Sequence, residues 1–258
     1  MIRFRVLGPL EILGQAGQWV PVSGTRRRAL LAVLLLNAGQ VVSYSQLIGE
    51  LWPEGPPHAP SNALHAQVVR LRDSLNRHLG PGQGKQRIAM TDQGYALHLE
   101  PGELDLAVFE SLRGQASDLA ASDPRSAIDK LGQALALWRD IPFGDPPEEH
   151  GPQLYAAAVR LEEHRLLATE DLVDLRLTAG DHRLLIGELK ALVARYPLRE
   201  RFCEQLIVAL GRSGRRAEAV EAFRATRKYM IAELGLEPSS ALYQRLQEIL
   251  NDTQGRSA

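Results

Sequence analysis

The chain has 258 residues, 45% of them apolar and 24% charged, which describes a globular protein long enough for two ordinary domains and excludes a disordered chain. Its formal net charge is −1, but residues 1–99 carry +5 and the remainder −6, so only the N-terminal third has the sign expected for contact with a polyanion. The lone cysteine, Cys203, excludes an internal disulfide framework and fits a reducing compartment, and no apolar run is long enough to span a membrane.

Met1-Ile2-Arg3-Phe4-Arg5 alternates as a strand does and has no signal-peptide core, so a cytoplasmic protein is expected. Residues 2–7 and 10–13 read as short strands separated by Gly8-Pro9, with a third at 19–22. A first helix is predicted from Thr25, its cap, to about Ala38, ended by Gly39. Arg26, Arg27 and Arg28 crowd its first turn, the positive end of the helix dipole. Cations there are unfavourable by roughly 0.3–1 kcal/mol each when exposed. A phosphate at the helix N-terminus removes the conflict, and phosphate contact is the preferred explanation over arginines that bend into water.

Val41–Ser43 reads as a brief extended piece, and Ser43 or Ser45 can cap a second helix that runs through Leu51 and Trp52. Pro53, Pro56, Pro57 and Pro60 forbid helix between them. A third helix then runs from Ser61 to about Leu79. Leu64, Val68, Leu71 and Leu75 recur at spacings of four, three and four, the apolar stripe of an amphipathic helix. Its opposite face carries Asn62, Ala66, Val69, Arg70, Asp73 and Arg77, with His65, Arg72 and Asn76 on one flank. Small residues that admit a close backbone approach, beside donors that can fork onto guanine, suit a major groove. An ordinary solvated helix is the alternative for the pattern taken alone.

Gly80-Pro81-Gly82-Gln83-Gly84-Lys85-Gln86 does not fit a phosphate loop: the spacing is one short, and Gln86 stands in place of Ser or Thr. It reads as a flexible turn. Ile88–Thr91 and Tyr95–Leu99 then pair as a hairpin around Asp92-Gln93-Gly94. Three helices and a hairpin behind a small N-terminal sheet make a winged helix-turn-helix.

No strand is expected from Asp105 to Leu250. Helices are predicted at 106–121, 124–140, 153–179, 182–195, 199–213, 216–234 and 239–250, with Gly235 ending one of them by C-cap chemistry. Leu131, Leu135 and Trp138 mark one buried face. A 34-residue period relates Leu172 to Leu206, Gly180 to Gly214, Leu185 to Ala219 and Leu189 to Phe223, the length of a tetratricopeptide helix pair. The fold class is therefore mainly α with a small β component: a winged helix-turn-helix with an N-terminal antiparallel sheet, then an all-α tetratricopeptide-like domain.

Catalytic and ligand patterns are weak. The seven histidines include no His-Glu-x-x-His, no cysteines pair, and Gly211-Arg212-Ser213-Gly214 is not a nucleophile elbow, so no enzyme, metal site or cofactor is expected. Glu148-Glu149-His150 and Glu162-Glu163-His164 read as solvated faces.

Phe4-Arg5-Val6-Leu7-Gly8-Pro9-Leu10-Glu11, Arg28 through Leu36, Gly39-Gln40-Val41-Val42-Ser43, Leu47-Ile48 to Leu51-Trp52, Arg70-Leu71-Arg72 and Gly94-Tyr95 occur in this order. Residues 2–99 thereby resemble the OmpR-type winged helix, a two-component-like output domain, of the actinomycete antibiotic-regulatory activators, the SARP family. In the second half, Tyr196 through Phe202, Ala209-Leu210 to Gly214-Arg215, Glu218-Ala219 and Glu233 through Ser239 resemble that family's bacterial transcriptional activation domain. The resemblance implies a DNA-binding domain at 1–100, an activation domain at 105–251 and a tail at 252–258. Larger members add an ATPase module; here a compact architecture without it, and without a preceding phospho-receiver, is expected.

The resemblance further implies that the third helix enters the major groove. Asn62, His65, Ala66, Val69 and Arg70 would face bases, and Arg26, Arg27, Arg28, Arg72, Arg77, Lys85 and Arg87 phosphates. Gln93, Gly94 and Tyr95 would form the wing. Implied partners are promoter DNA with direct repeats, read by two protomers side by side, and RNA polymerase holoenzyme. The other class in play is a helical-repeat interaction scaffold with a nonspecific DNA anchor.

Overall fold

The computed structural model describes residues 1–145, 149 and 151–251. Of the expected solvated faces, Glu148 and His150 lie outside the described residues, as does the tail from 252 to 258. The chain forms two compact units: Met1–Gly114 with Gln133–Leu166, and Gln115–Gly132 with Leu167 onward. Compactness thus groups residues 133–166 with the N-terminal third, a partition different from a division at residues 100–105.

The first unit opens with three short antiparallel strands, β1 (Phe4–Arg5), β2 (Glu11–Leu13) and β3 (Trp19–Pro21), in register at Phe4–Ile12 and Ile12–Val20. They are shorter than expected, because the backbone beyond Arg5 leaves the sheet for another partner. The Val6 and Leu7 amides donate to the Asp105 carboxylate at 2.8–3.1 Å. Phe143 N–H donates to the Val6 carbonyl and Arg139 N–H to that of Leu7.

Helix α1 (Thr25–Leu36) supplies buried Leu30, Leu31, Val33, Leu34 and Leu35. Thr25 is its first helical residue and not its cap; Gly24 occupies the cap position and offers no side chain. Strand β4 (Val41–Ser43) leads into α2 (Tyr44–Leu51), which begins with a reciprocal capping box: Ser43 Oγ accepts from Gln46 N–H, and Gln46 Oε1 accepts from Ser43 N–H. Helix α3 (Pro60–Leu79) starts on a proline, whose missing N–H is no loss in the first turn.

The segment expected to be a flexible turn instead forms a short helix, α4 (Gln83–Arg87). Asn76 Oδ1 accepts from Gly84 N–H at 2.8 Å, and a Cβ at Gly84 would overlap the Arg72 carbonyl, so α4 lies flush on α3. Strands β5 (Ile88–Met90) and β6 (Gly94–Leu97) form the hairpin, and β4 completes a sheet of order β4-β6-β5.

Helix α5 (Asp105–Leu119) begins at the buried Asp105, and α6 (Pro124–Leu135) ends five residues earlier than expected. Trp138 therefore lies in a turn, half-buried, its ring edge against Phe109 at 5.4 Å. Helix α7 (Pro152–Thr178) is started by a distant side chain: buried Glu50 of α2 accepts the Gln153 and Leu154 N–H groups at 2.9 Å each.

In the second unit, α9 (Glu200–Arg212) packs against α8 (His182–Arg195), α10 (Arg216–Leu234) and α11 (Ser240–Asn251). The core contains Leu185, Leu189, Leu206, Ala219 and Phe223, members of the 34-residue repeat, and Gly180 and Gly214 both have positive φ. Cys203 is buried there, accepting from Thr226 Oγ1 at 3.2 Å, and burial pushes its thiol pKa up to about 11. No helix among the described residues is long and apolar enough to cross a membrane.

Candidate nucleic-acid interface

Helix α3 organises the site by presenting different residues around its circumference. Leu64, Val68, Leu71 and Leu75 are fully buried. Asn62, Ala66, Val69, Asp73 and Arg77 stand exposed opposite them, and Val69 is 41% accessible despite being aliphatic. That face combines small, hydrogen-bonding and cationic groups, with nothing among the described residues of this unit laid over it.

One flank of α3 is tied to the hairpin. Arg72 Nη2 donates to the Ile88 carbonyl at 2.8 Å, and its guanidinium lies 6.0 Å from the Tyr95 ring centroid. His65 Nδ1 sits 3.0 Å from the Tyr95 hydroxyl, while His65 itself remains exposed. Tyr95 is 1% exposed and meets Tyr44 edge-on at 5.6 Å; burial, then the neighbouring Tyr44, raise its pKa above the ordinary tyrosine value.

These contacts correct two expectations for the hairpin. Tyr95 is a core residue that joins α2, α3 and the wing, not a surface residue of the wing. Gly94 is also buried: a Cβ there would overlap the Val42 carbonyl where β4 and β6 meet, so it is a packing glycine. Gln93 is exposed at the turn, which Thr91 Oγ1 holds by accepting the Gln93 and Gly94 N–H groups.

The expected phosphate ligands separate in the same way. Arg87 forms a bidentate pair with Glu103, Nη1–Oε2 at 2.7 Å and Nη2–Oε1 at 2.8 Å, and its side chain is only 11% exposed. Burial alone would raise the Glu103 carboxyl, but hydrogen bonds from Arg87 and the Glu100 N–H, with the Arg87 and Arg3 charges, hold it below its ordinary value. Arg87 is therefore a structural cation, as is Arg72, whose guanidinium is turned onto the hairpin. Arg28 pairs with Asp145 through Nε at 3.0 Å and Nη2 at 2.9 Å. Arg27 donates to Ser23 Oγ at 3.2 Å. Arg26, Arg77 and Lys85 are exposed, Arg26 at 5.6 Å from the Trp52 ring and Arg77 donating weakly to the Asp73 carbonyl.

Arg70 stands apart from the other base-facing candidates. It is exposed on the flank away from the hairpin, where it and Gln67 line a cleft beside the α1 N-terminus. Glu103 and Tyr44 are the positioning residues that local sequence patterns did not indicate, because each acts through a partner distant in the chain.

An exposed polar stripe on a buried-backed third helix, braced against a β-hairpin, defines the winged-helix class of transcription regulator. Two family models match the chain: "Transcriptional regulatory protein, C terminal" over residues 21–97 and "Bacterial transcriptional activator domain" over residues 104–250. The transcriptional regulator RedD of Streptomyces coelicolor is 37% identical over 250 residues, 96% of this chain and 70% of that protein. The regulatory protein AfsR of the same organism is 38% identical over 251 residues, 96% of this chain but 24% of AfsR, so the chain spans about a quarter of that relative. The solved structure of Mycobacterium tuberculosis EmbR in complex with a low-affinity phosphopeptide superposes with a TM-score of 0.88 at 28% identity, covering 97% of this chain and 65% of that one. The chain belongs to the SARP family of transcription activators.

Proposed function

We propose that the chain is a sequence-specific transcription activator that lays α3 in the major groove and the hairpin along the adjacent backbone. The observation that carries this is the exposed stripe Asn62–Ala66–Val69–Arg77 on a helix whose other face is core. Asn62, His65 and Ala66 would face bases, with Val69 against a thymine methyl and Arg70 at the edge of the groove. Arg26, Arg77 and Lys85 would hold phosphates, aided by Arg27 and the Gln93 turn.

The target would be promoter direct repeats read by two protomers, with half-sites about 10–10.5 bp apart or at multiples of that spacing. The 105–251 region would recruit RNA polymerase holoenzyme, and the controlled genes would be a secondary-metabolite cluster, as the family implies. The protein would act in the cytoplasm, associated with the nucleoid when bound to DNA.

Footprinting on the promoters adjoining its own gene, with random DNA as competitor, tests this. Protected direct repeats that survive excess random DNA are expected. Loss of all protection to random DNA would favour a scaffold with a nonspecific anchor, and inverted half-sites would refute side-by-side binding.

A further inference from the structure

The exposed imidazole of His65 is anchored by one nitrogen. Its Nδ1 lies 3.0 Å from the Tyr95 hydroxyl, and among the described residues its Nε2 has no hydrogen-bond partner. A neutral imidazole carries one ring proton, and the partner of one nitrogen decides where that proton sits. Here the partner is a buried phenol, 1% exposed, whose hydroxyl makes no other hydrogen bond among the described residues. Tyr44, edge-on to the Tyr95 ring, turns its own hydroxyl to the Thr91 carbonyl at 3.2 Å. The Arg72 guanidinium, 6.0 Å from the ring centroid, has donors only. If His65 Nδ1 carried the proton, the Tyr95 O–H would be buried without an acceptor, an arrangement folded proteins avoid. Burial, then Tyr44, hold the phenol above its ordinary pKa, so the hydroxyl keeps the proton it donates.

We infer that Tyr95 is a positioning residue for base recognition: its hydroxyl donates to His65 Nδ1, which leaves the ring proton on Nε2 and makes the outward edge of His65 a hydrogen-bond donor. This role rests on α3 entering the major groove and deepens that reading. A lone N–H donor is met by guanine, whose N7 and O6 both accept in the major groove, and is opposed by the amino group of cytosine. A histidine held only by water could meet either base by moving its proton. Fixed by Tyr95, His65 selects guanine on the strand it faces.

Nitrogen-15 NMR of the full chain without DNA, at about pH 8 where imidazole is neutral, reads the proton directly. His65→Ala identifies the His65 signals among the seven histidines. The proton is expected on Nε2 in the unaltered protein, and Tyr95→Phe should let the two tautomers mix. Binding to the footprinted target, with each base pair replaced in turn, gives the second readout. One position should favour guanine over cytosine by about tenfold, the scale of a base-edge contact. His65→Ala and Tyr95→Phe should each flatten the preference at that position and leave the others unchanged. Tyr95→Phe should add nothing there once His65 is alanine. A Tyr95 that only packs the core would instead lower affinity for every sequence alike. Thermal melting checks that Tyr95→Phe, which keeps the buried ring, is folded; the spectrum of unaltered protein and the exposed change His65→Ala stand without it. A proton on Nδ1, or a Tyr95→Phe preference profile equal to that of unaltered protein, would overturn the inference alone. Unaltered protein that prefers no sequence would overturn the groove reading as well.

Discussion

Arg72 donates to the Ile88 carbonyl at 2.8 Å, so α3 and the hairpin beside it are fastened by a bond inside the protein. Arg72→Ala would leave that carbonyl without its donor and destabilise the fold by about 1–3 kcal/mol. DNA affinity should fall through loss of wing position. The slope of log affinity against log salt should change by much less than the ~0.9 expected for a lost phosphate contact. A slope change near that value would return Arg72 to the phosphate ligands.

Arg77 and Asn62 give the complementary outcomes. Both are exposed on the outward face of α3. Arg77→Ala should weaken target and random DNA about equally and lower the salt slope by about 1. Asn62→Ala should instead reduce discrimination between target and random DNA by about 1–3 kcal/mol with the slope intact. Competition binding at several salt concentrations reads both.

Asp105 makes stability depend on pH. Burial pushes its pKa from 3.8 up to about 6, overcoming the N–H donors of Val6, Leu7 and Leu106 that favour the carboxylate. The folded state therefore holds this proton more tightly than the unfolded chain. Its contribution is full below about pH 4, is lost as pH rises through about 6, and amounts to up to about 3 kcal/mol. Urea unfolding of wild type and Asp105→Asn from pH 4 to 7 should show the wild-type advantage shrinking with rising pH. A difference independent of pH would refute this.

Gly151 is required by its neighbour. A Cβ there would lie 2.5–2.6 Å from the Glu50 carboxyl and 2.7 Å from its carbonyl oxygen. Gly151→Ala should displace Glu50 from the α7 amides and lower stability by about 1–3 kcal/mol. Glu50→Gln, which keeps the shape but presents an NH2 where an acceptor is needed, should cost a similar amount. Chemical denaturation measures both.

Where the local sequence contained both partners of a contact, the fold could be read from it. The α3 leucine stripe and the left-handed Gly235 cap each lie within a few residues, and each was legible; for α2 the sequence left Ser43 and Ser45 both open as caps, and the reciprocal bonds with Gln46 select Ser43. Helix α4 was not, because five residues have little helical preference of their own and depend on Asn76 and the surface of α3. The same limit applied to the site. Arg87 reads as a free cation until Glu103, sixteen residues on, folds against it, and Arg28 until Asp145 arrives from 117 residues away. Burial of Tyr95 depends on Tyr44 and His65, neither of which is near it in sequence. Exposed helix positions were predictable from periodicity, whereas the long side chains at their margins were assigned only by tertiary partners.

The sole sulfhydryl of the chain makes the helical bundle its own reporter. Cys203 is sealed against Thr226 and poorly ionised, so a thiol-modifying reagent would reach it only when α9 and α10 part. The labelling rate of unaltered protein thus gives a clock for opening of that bundle, and comparing it with and without promoter DNA would report whether occupancy at α3 is felt there.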